Sequence, residues 1–375
     1  MYLRFLIMIA CASPVFADWP NFRGDQAMRG VSDGPLADTP RHAWTFQIEY
    51  PIRSSPVIAG GRVFVGSDDG NVYAINLTDG KLVWRFQTGN HDVPAIVEAP
   101  PLVYGQTVYV GSSDHKLYAI DAHSGQSRWS YSTDDKILGA ANWIRSPDGQ
   151  RTRIIVGSYD SFLHCVDAQT GKSVWRSPTD YFVNGAPAVA NNRIVFGGCD
   201  RMIHVLDTSS GRSLHQVPIE GEIAAGVALA GFRAIVGHYG NAVVCVDVRS
   251  GELLWSYSHK PFPFFSSVAL TDTLAIVGGR DSHLHAINLD SGQAVWRFKS
   301  RGNIDSSPVV VGDRVVIGSN DGRLYILDLA DGSEIWTYDL GEAINSSPAV
   351  SGGWLIIGCD DGNLYAFHGE DAGHE

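Results

Sequence analysis

The side chains in this chain that could do chemistry are few and spread out. There are five cysteines and thirteen histidines. Neither CxxC nor CxxCH occurs, so the spacing of a zinc or c-type haem site is missing. Cys165 and Cys245 stand where sister segments have Ala74, Ala119 and Ala286, and Cys199 and Cys359 stand in turns. All four read as small-residue replacements. Their places in the repeat described below keep them farther apart than the ~7 Å a disulfide needs, so four free thiols are expected. His164, His204 and His285 share one recurring slot that is otherwise Tyr, and His283 lies two residues before His285. A metal needs three or four converging donors. Val244 interrupts the histidine series, so the histidines read as packing residues and no metal is expected. The turns Asp68-Asp69-Gly70, Asn320-Asp321-Gly322 and Asp360-Asp361-Gly362 lack the alternating ligands and distal Glu of a calcium loop. They read as hairpin turns. With no GxSxG motif either, no catalytic, cofactor-binding or metal-binding residue is assigned.

One recurring position has more promise. It reads Arg53, Glu98, Gly139, Asn184, Ala224, Phe265, Asp305 and Asn345, and the residue before it is apolar each time: Ile52, Val97, Leu138, Val183, Ile223, Phe264, Ile304 and Ile344. An apolar collar beneath a varied ring is what a closed radial fold needs at the mouth of its bore. The link Lys260–Phe265 adds Phe262, which falls outside the collar register and is a candidate interface anchor. The candidate partner or ligand face is therefore Arg53, Glu98, Asn184, Phe262, Phe265, Asp305 and Asn345.

These positions are held by one repeated element. Ser306–Leu340 reads SSPVVVGDRVVIGSNDGRLYILDLADGSEIWTYDL. Four apolar runs are separated by Gly-Asp, Asn-Asp-Gly and Asp-Gly, which favour tight hairpin turns. This predicts a four-stranded antiparallel meander. Its second-strand Gly recurs at Gly66, Gly111, Gly157, Gly197, Gly237, Gly278, Gly318 and Gly358, at intervals of 40 to 46 residues. That period belongs to propeller blades. The last unit lacks its Trp strand, and His42–Tyr50, with Trp44, matches what is missing. The expected fold is all-β: an eight-bladed β-propeller over 42–368, closed by an N-terminal strand that completes the last blade.

The pattern SSPVV…VVIGSNDGRLYILD…GSEIW resembles the quinoprotein-type, PQQ-like repeat of bacterial eight-bladed propellers. That family includes the pyrroloquinoline quinone (PQQ) dehydrogenases and BamB, the outer-membrane assembly factor. The dehydrogenase side of the resemblance implies a calcium-held quinone, a disulfide between neighbouring cysteines and a catalytic Asp. This chain has no adjacent Cys pair and no long insertion to carry such a site. The preferred reading is a non-catalytic, BamB-like binding scaffold of the cell envelope, without a cofactor, monomeric, with an envelope protein or peptide as partner. The alternative is a PQQ-dependent dehydrogenase-like enzyme or a propeller that binds a small ligand.

The chain's ends and charge fit export. Residues 1–17 read as a signal peptide, with Arg4, an apolar stretch and Val15-Phe16-Ala17 as cleavage site. Met8-Ile9-Ala10-Cys11 loosely resembles a lipobox that would acylate Cys11, but cleavage after Ala17 is preferred. The product is then periplasmic or otherwise exported, and no later run approaches the ~20 apolar residues of a membrane span. Residues 18–41, containing WPNFRGD, read as an ordered arm lying on the propeller, tacked down by Trp19 and Phe22. Residues 369–375 read as a tail. The formal net charge of −12 and the lack of a basic cluster argue against nucleic acid or anionic lipid as a partner.

Overall fold

The computed structural model describes residues 18–90 and 93–369. The expected signal segment at 1–17, with Cys11, and residues 370–375 of the tail lie outside them. Eight four-stranded antiparallel sheets follow one another around a central bore. The blades span 57–87, 102–132, 142–178, 188–218, 228–257, 269–299, 309–339 and 349–368. Within each blade the first strand is innermost, and neighbouring first strands contact each other around the axis. The second and third strands are almost wholly buried, whereas the fourth is largely open to solvent, as in EIWTYD. Middle strands that read Val, Ile and Leu on both faces fit a sheet packed between two others.

The last blade is completed from the other end of the chain. Strand β1 (Val31–Ser32) and strand β2 (Arg41–Gln47) come first in sequence. β2 pairs antiparallel with 363–368, with Trp44 opposite Ala366 and Thr45 opposite Tyr365. The propeller thus begins at Arg41, one residue earlier than expected.

Two sequence signals turn out to be contacts between blades. A Cβ on Gly66 would lie 2.4 Å from Val97 of the next blade's collar, and one on Gly318 would lie 2.3 Å from Ile344. The second-strand glycine is therefore fixed by close approach of the neighbouring blade. The same contact corrects the third unit. Gly111 meets Ile137, which is fully buried, so the collar residue is Ile137 and the ring residue is Leu138, not Leu138 and Gly139. Ala141 stands where most units have a helpful Pro, and without that anchor the alignment slips by one. The fourth-strand Trp is the second signal. Trp44 donates from Nε1 to Leu77 O at 2.8 Å and covers Gly80 of the next blade, whose φ is +67°. Trp84, Trp255 and Trp296 donate likewise to Ala122, Leu289 and Leu329. Within their own blades Trp84, Trp129, Trp175, Trp255 and Trp296 face a small residue (Ala74, Ala119, Cys165, Cys245 and Ala286), whereas Trp336 faces Ile326. This is why two of the cysteines stand where they do. All four cysteines of the described residues are free and sit in blades 3, 4, 5 and 8.

The arm does more than lie on the surface. It runs round the inside of the bore and meets all eight inner strands in order. Ile58 N donates to Trp19 O, Val103 N to Pro20 O, Val189 N to Gln26 O, Leu229 N to Ala27 O, Leu270 N to Arg29 O and Val310 N to Gly30 O. Gln26 Nε2 donates to Trp143 O, and Ser32 Oγ to Val350 O. β1 adds a parallel fifth strand to the seventh blade. Eight exposed inner edges are thereby satisfied by one segment. Trp19 and Met28 are buried under it. Arg23 is fully buried, donates to Pro308 O at 2.5 Å and Val268 O at 3.4 Å, and leaves Nε and Nη1 without a partner. Burial pushes its pKa down to about 9.

Candidate functional site

Because the arm seals one end of the bore, the other end becomes a cup. Its volume is about 480 Å³, and Phe22 of the arm reaches its floor. The cup opens on the face formed by the links between blades. Arg53, Glu98, Asn184, Phe265, Asp305 and Asn345 all line it, so six of the seven predicted face residues are brought together. The seventh, Phe262, stays outside the cup on the link above, with 46% of its surface exposed, while Phe264 is buried in the collar.

The wall of the cup has two halves. In blades 6, 7, 8 and 1 the inner strands begin with a serine pair, and the hydroxyls bind the neighbouring backbone. Gly226 N donates to Ser267 Oγ, Ser267 N to Ser307 Oγ, Ser307 N to Ser347 Oγ and Ser347 N to Ser55 Oγ, each at 2.9 Å. In blades 2 to 5 the same places hold Ala, Gly and Pro. There is thus a half-ring of hydroxyls facing a half-ring of small apolar residues.

The rim repeats this division at larger scale. On the side of blades 7, 8, 1 and 2 it is charged. Arg53 pairs with Asp68 at 2.9 Å and reaches Glu98 at 3.9 Å. Asn345 Nδ2 donates to Asp360 Oδ2 at 2.8 Å, and Arg280 holds Asp305 through two N–H groups. Burial pushes the Asp68 and Asp360 carboxyls above the usual carboxylate range, and each keeps one oxygen without a partner. On the side of blades 3 to 6 the rim is aromatic. Tyr159 stacks on Phe182 with centroids 4.7 Å apart, Tyr181 on Phe182 at 4.3 Å, and Tyr239 on Phe265 at 4.3 Å. The Arg280 guanidinium lies 3.8 Å over the Phe265 ring and joins the two halves. Tyr181, Tyr239 and Phe262 are about half exposed there.

Two sets of residues were legible in the repeat but not singled out from it. Asp68, Tyr159, Tyr239, Arg280, Asn320 and Asp360 all stand two places after the second-strand Gly, and they make the outer rim. The aspartate one place further is the second set. Tyr73, Tyr118, Tyr325 and Tyr365 donate their hydroxyls to Asp69, Asp114, Asp321 and Asp361. His164, His204 and His285 bind Asp160, Asp200 and Asp281 in the same way. The histidine slot is therefore a buried hydrogen-bonding slot, and the acidic turns carry its acceptor. The signal was a carboxylate four residues before each Tyr or His. Blade 5 has neither member, with Gly240 and Val244 in their places.

The quinone and calcium implied by the dehydrogenase side of the resemblance do not fit this mouth. Glu98 and Asp305 stand three blades apart across the ring, and each faces an arginine. Among the described residues, the cluster of three metal-competent side chains lies elsewhere, at His259, Asp281 and His285. No helix of the described residues is long and apolar enough to cross a membrane.

Solved structures share the whole architecture. BamB from Moraxella catarrhalis superposes with a TM-score of 0.74 at 18% identity, over 88% of this chain and 100% of that one. The quinohemoprotein alcohol dehydrogenase from Comamonas testosteroni gives 0.79 at 14% identity, over 96% and 82%. The computationally designed Ika8 protein gives 0.74 at 16% identity, over 86% and 97%. At such identities these likenesses concern the fold, and they span an assembly factor, an enzyme and a designed protein. No curated protein sequence matches. The sequence model described as outer membrane protein assembly factor BamB matches residues 36–143, 133–279 and 280–374. Since those three segments take in nearly the whole propeller, the chain belongs to the BamB family of PQQ-like propellers.

Proposed function

We propose that this protein is a non-catalytic binding propeller of the bacterial cell envelope, which takes an extended segment of an envelope protein at its open mouth. One observation carries the reading. The bore is sealed at the base by the chain's own arm, and the open rim combines half-exposed aromatics with carboxylates whose burial disfavours their charge. Aromatic anchors beside a polar arc are what a peptide-docking face uses. A role in outer-membrane protein assembly is the finer form of the proposal, and it rests on the family description. The cup itself, at about 480 Å³, favours a second reading in which a small ligand sits below the rim.

The test is site-specific photo-crosslinking in the native host. A crosslinker replacing Phe262 or Tyr239 is expected to capture one defined envelope protein, and one at Arg62 on the base side is expected to capture none. Purified partner should then lose binding on charge reversal of Arg53, Glu98 or Asp305 while the melting temperature holds. Equal capture from both faces would overturn the proposal. So would dye reduction with added PQQ and calcium that is abolished by Asp305→Ala, which would favour the enzyme instead.

A further inference from the structure

Blade 5 departs from its seven sisters, and the departure creates a cluster that none of them has. The residue four places after the fourth-strand Trp is Ile48, Thr88, Thr133, Thr179, Ile219, His259, Ser300 or Leu340 around the ring. Where it is Thr or Ser, its hydroxyl donates to a carbonyl of its own blade's turn, as Thr88 does to Gly70 and Ser300 to Ser282. In blade 5 that turn has lost its aspartate, and His259 reaches across to blade 6 instead. Its Nδ1 lies 2.8 Å from Asp281 Oδ2. The same carboxylate faces His285 Nε2 at 3.1 Å and His283 Nδ1 at 3.5 Å. Three imidazoles thus surround one carboxylate, with ring centroids 5.4 to 5.9 Å apart.

We propose that His259 Nδ1, Asp281 and His285 Nε2 bind one divalent transition-metal ion of the zinc class. The three donor atoms already lie within 4.8 Å of one another. Zinc bonds of about 2.0–2.2 Å place tetrahedral donors roughly 3.3 Å apart, a contraction that side-chain rotation supplies. Two imidazole nitrogens and one carboxylate suit zinc, cobalt or nickel and do not suit calcium. The second shell is also present. Tyr257 Oη sits 2.9 Å from His285 Nδ1, so it can accept the N–H that a histidine ligated through Nε2 must carry on its other nitrogen. When the metal takes Nε2, the single imidazole proton of His285 moves from Nε2 to Nδ1, where Tyr257 Oη accepts it, and the ring stays neutral. Access is open on one side. Asp281 and His285 are buried, whereas the His259 side chain is 22% exposed, which leaves a fourth position for water or for His283. The sequence expectation of no metal followed from comparing His164, His204 and His285, which sit on different blades. The missing partner was on the link just past the outer strand of the blade before.

The experiment uses the full mature chain, stripped with a chelator and titrated with Co(II) and Zn(II). One equivalent of Co(II) is expected, with the visible bands of a low-coordinate ion, displaced by Zn(II). Zn(II) should raise the melting temperature of the wild type. His259→Ala should abolish both signals while leaving the metal-free melting temperature near the wild-type value. If His259→Ala folds poorly, His259→Asn keeps a donor to Asp281 at the place of Nδ1 and decides instead. Tyr257→Phe should weaken Zn(II) by roughly 10–100-fold, as loss of a second-shell partner does. Absence of saturable Co(II) binding by the wild type, or binding that His259→Ala and His259→Asn both retain, would overturn the proposal.

Discussion

The two ends of the bore are built from the same repeat and solve opposite problems. At the base, a single segment of chain satisfies the inner edge of every blade with backbone hydrogen bonds, and apolar side chains such as Trp19 and Met28 are buried beneath it. At the mouth, the edges are left to side chains, and these differ from blade to blade. The base is uniform and closed, so it serves the fold. The mouth keeps features that work against stability: half-exposed aromatics, and carboxyls at Asp68 and Asp360 that burial drives toward the neutral form. Groups that a fold would do better without are candidates for function.

The comparison is broken most directly at the base. Removing residues 18–38 takes away the buried Trp19 and Met28, each worth about 1.5–3 kcal/mol, and reopens the inner edges. The shortened chain should melt far below the full one and should aggregate through its unpaired strands. Trp44→Ala, at the closure of the ring, should cost about 3–5 kcal/mol against a total of ~5–15 kcal/mol. Denaturant unfolding of both variants checks this. A shortened chain as stable as the full one would mean that the arm is no part of the fold.

At the mouth the expected effects move from stability to binding. Phe262→Ala should change stability by no more than about 0.5 kcal/mol, since the side chain is half exposed. It should weaken capture of the crosslinked partner by about tenfold or more. Destabilisation by several kcal/mol would place Phe262 with the collar rather than with the face.

Asp360→Asn sharpens the contrast by its sign. Burial raises this carboxyl in the folded state. The favourable protonated form is then fully present only below the unfolded pKa near 3.8, and its contribution is lost as pH rises through the folded pKa. At pH 7 the wild type carries an unwelcome charge, so Asp360→Asn should melt about 1–2 °C higher. That gain should fade as pH falls toward 4. The aspartates of the buried slots should behave in the opposite way. Burial raises the Asp281 carboxyl, but hydrogen bonds from His285 and His259 outweigh it and hold it well below the usual carboxylate range. Its stabilisation is present above the unfolded pKa and is lost as pH falls through the folded one, so Asp281→Asn should destabilise at pH 7. If both variants shifted stability in the same direction, the contrast between rim and slot would fail.

The smallest effect is one of rate. Burial pushes the thiols of Cys165, Cys245 and Cys359 up to about 12. Cys199, on the mouth side of its turn, is only half-buried, and its thiol is raised less far. Alkylation of the native protein should mark Cys199 first, and unfolding without reductant should release four thiols. Fewer than four would reveal a disulfide.

Much of this was readable in the chain. The period of 40 to 46 residues, the displaced Trp44 strand and the apolar collar gave the blade count, the closure and the mouth, because a repeat carries its geometry in its spacing. The ring was misread at one unit, where Leu138 and not Gly139 takes the ring position, since spacing fails where an anchor residue is absent. What spacing could not supply was contact between units. Nothing local marks WPNFRGD as a belt through the bore, because its hydrogen bonds reach as far as Pro308 O, 285 residues away in sequence. His259 likewise looks like an ordinary link residue until the loss of an aspartate in its own blade turns it toward Asp281 in the next. The amino-acid sequence determined the blade, because a blade is made by neighbours in the chain. The tertiary structure decided the sealed base, the divided rim and the histidine cluster, because each is made by residues that only ring closure brings together.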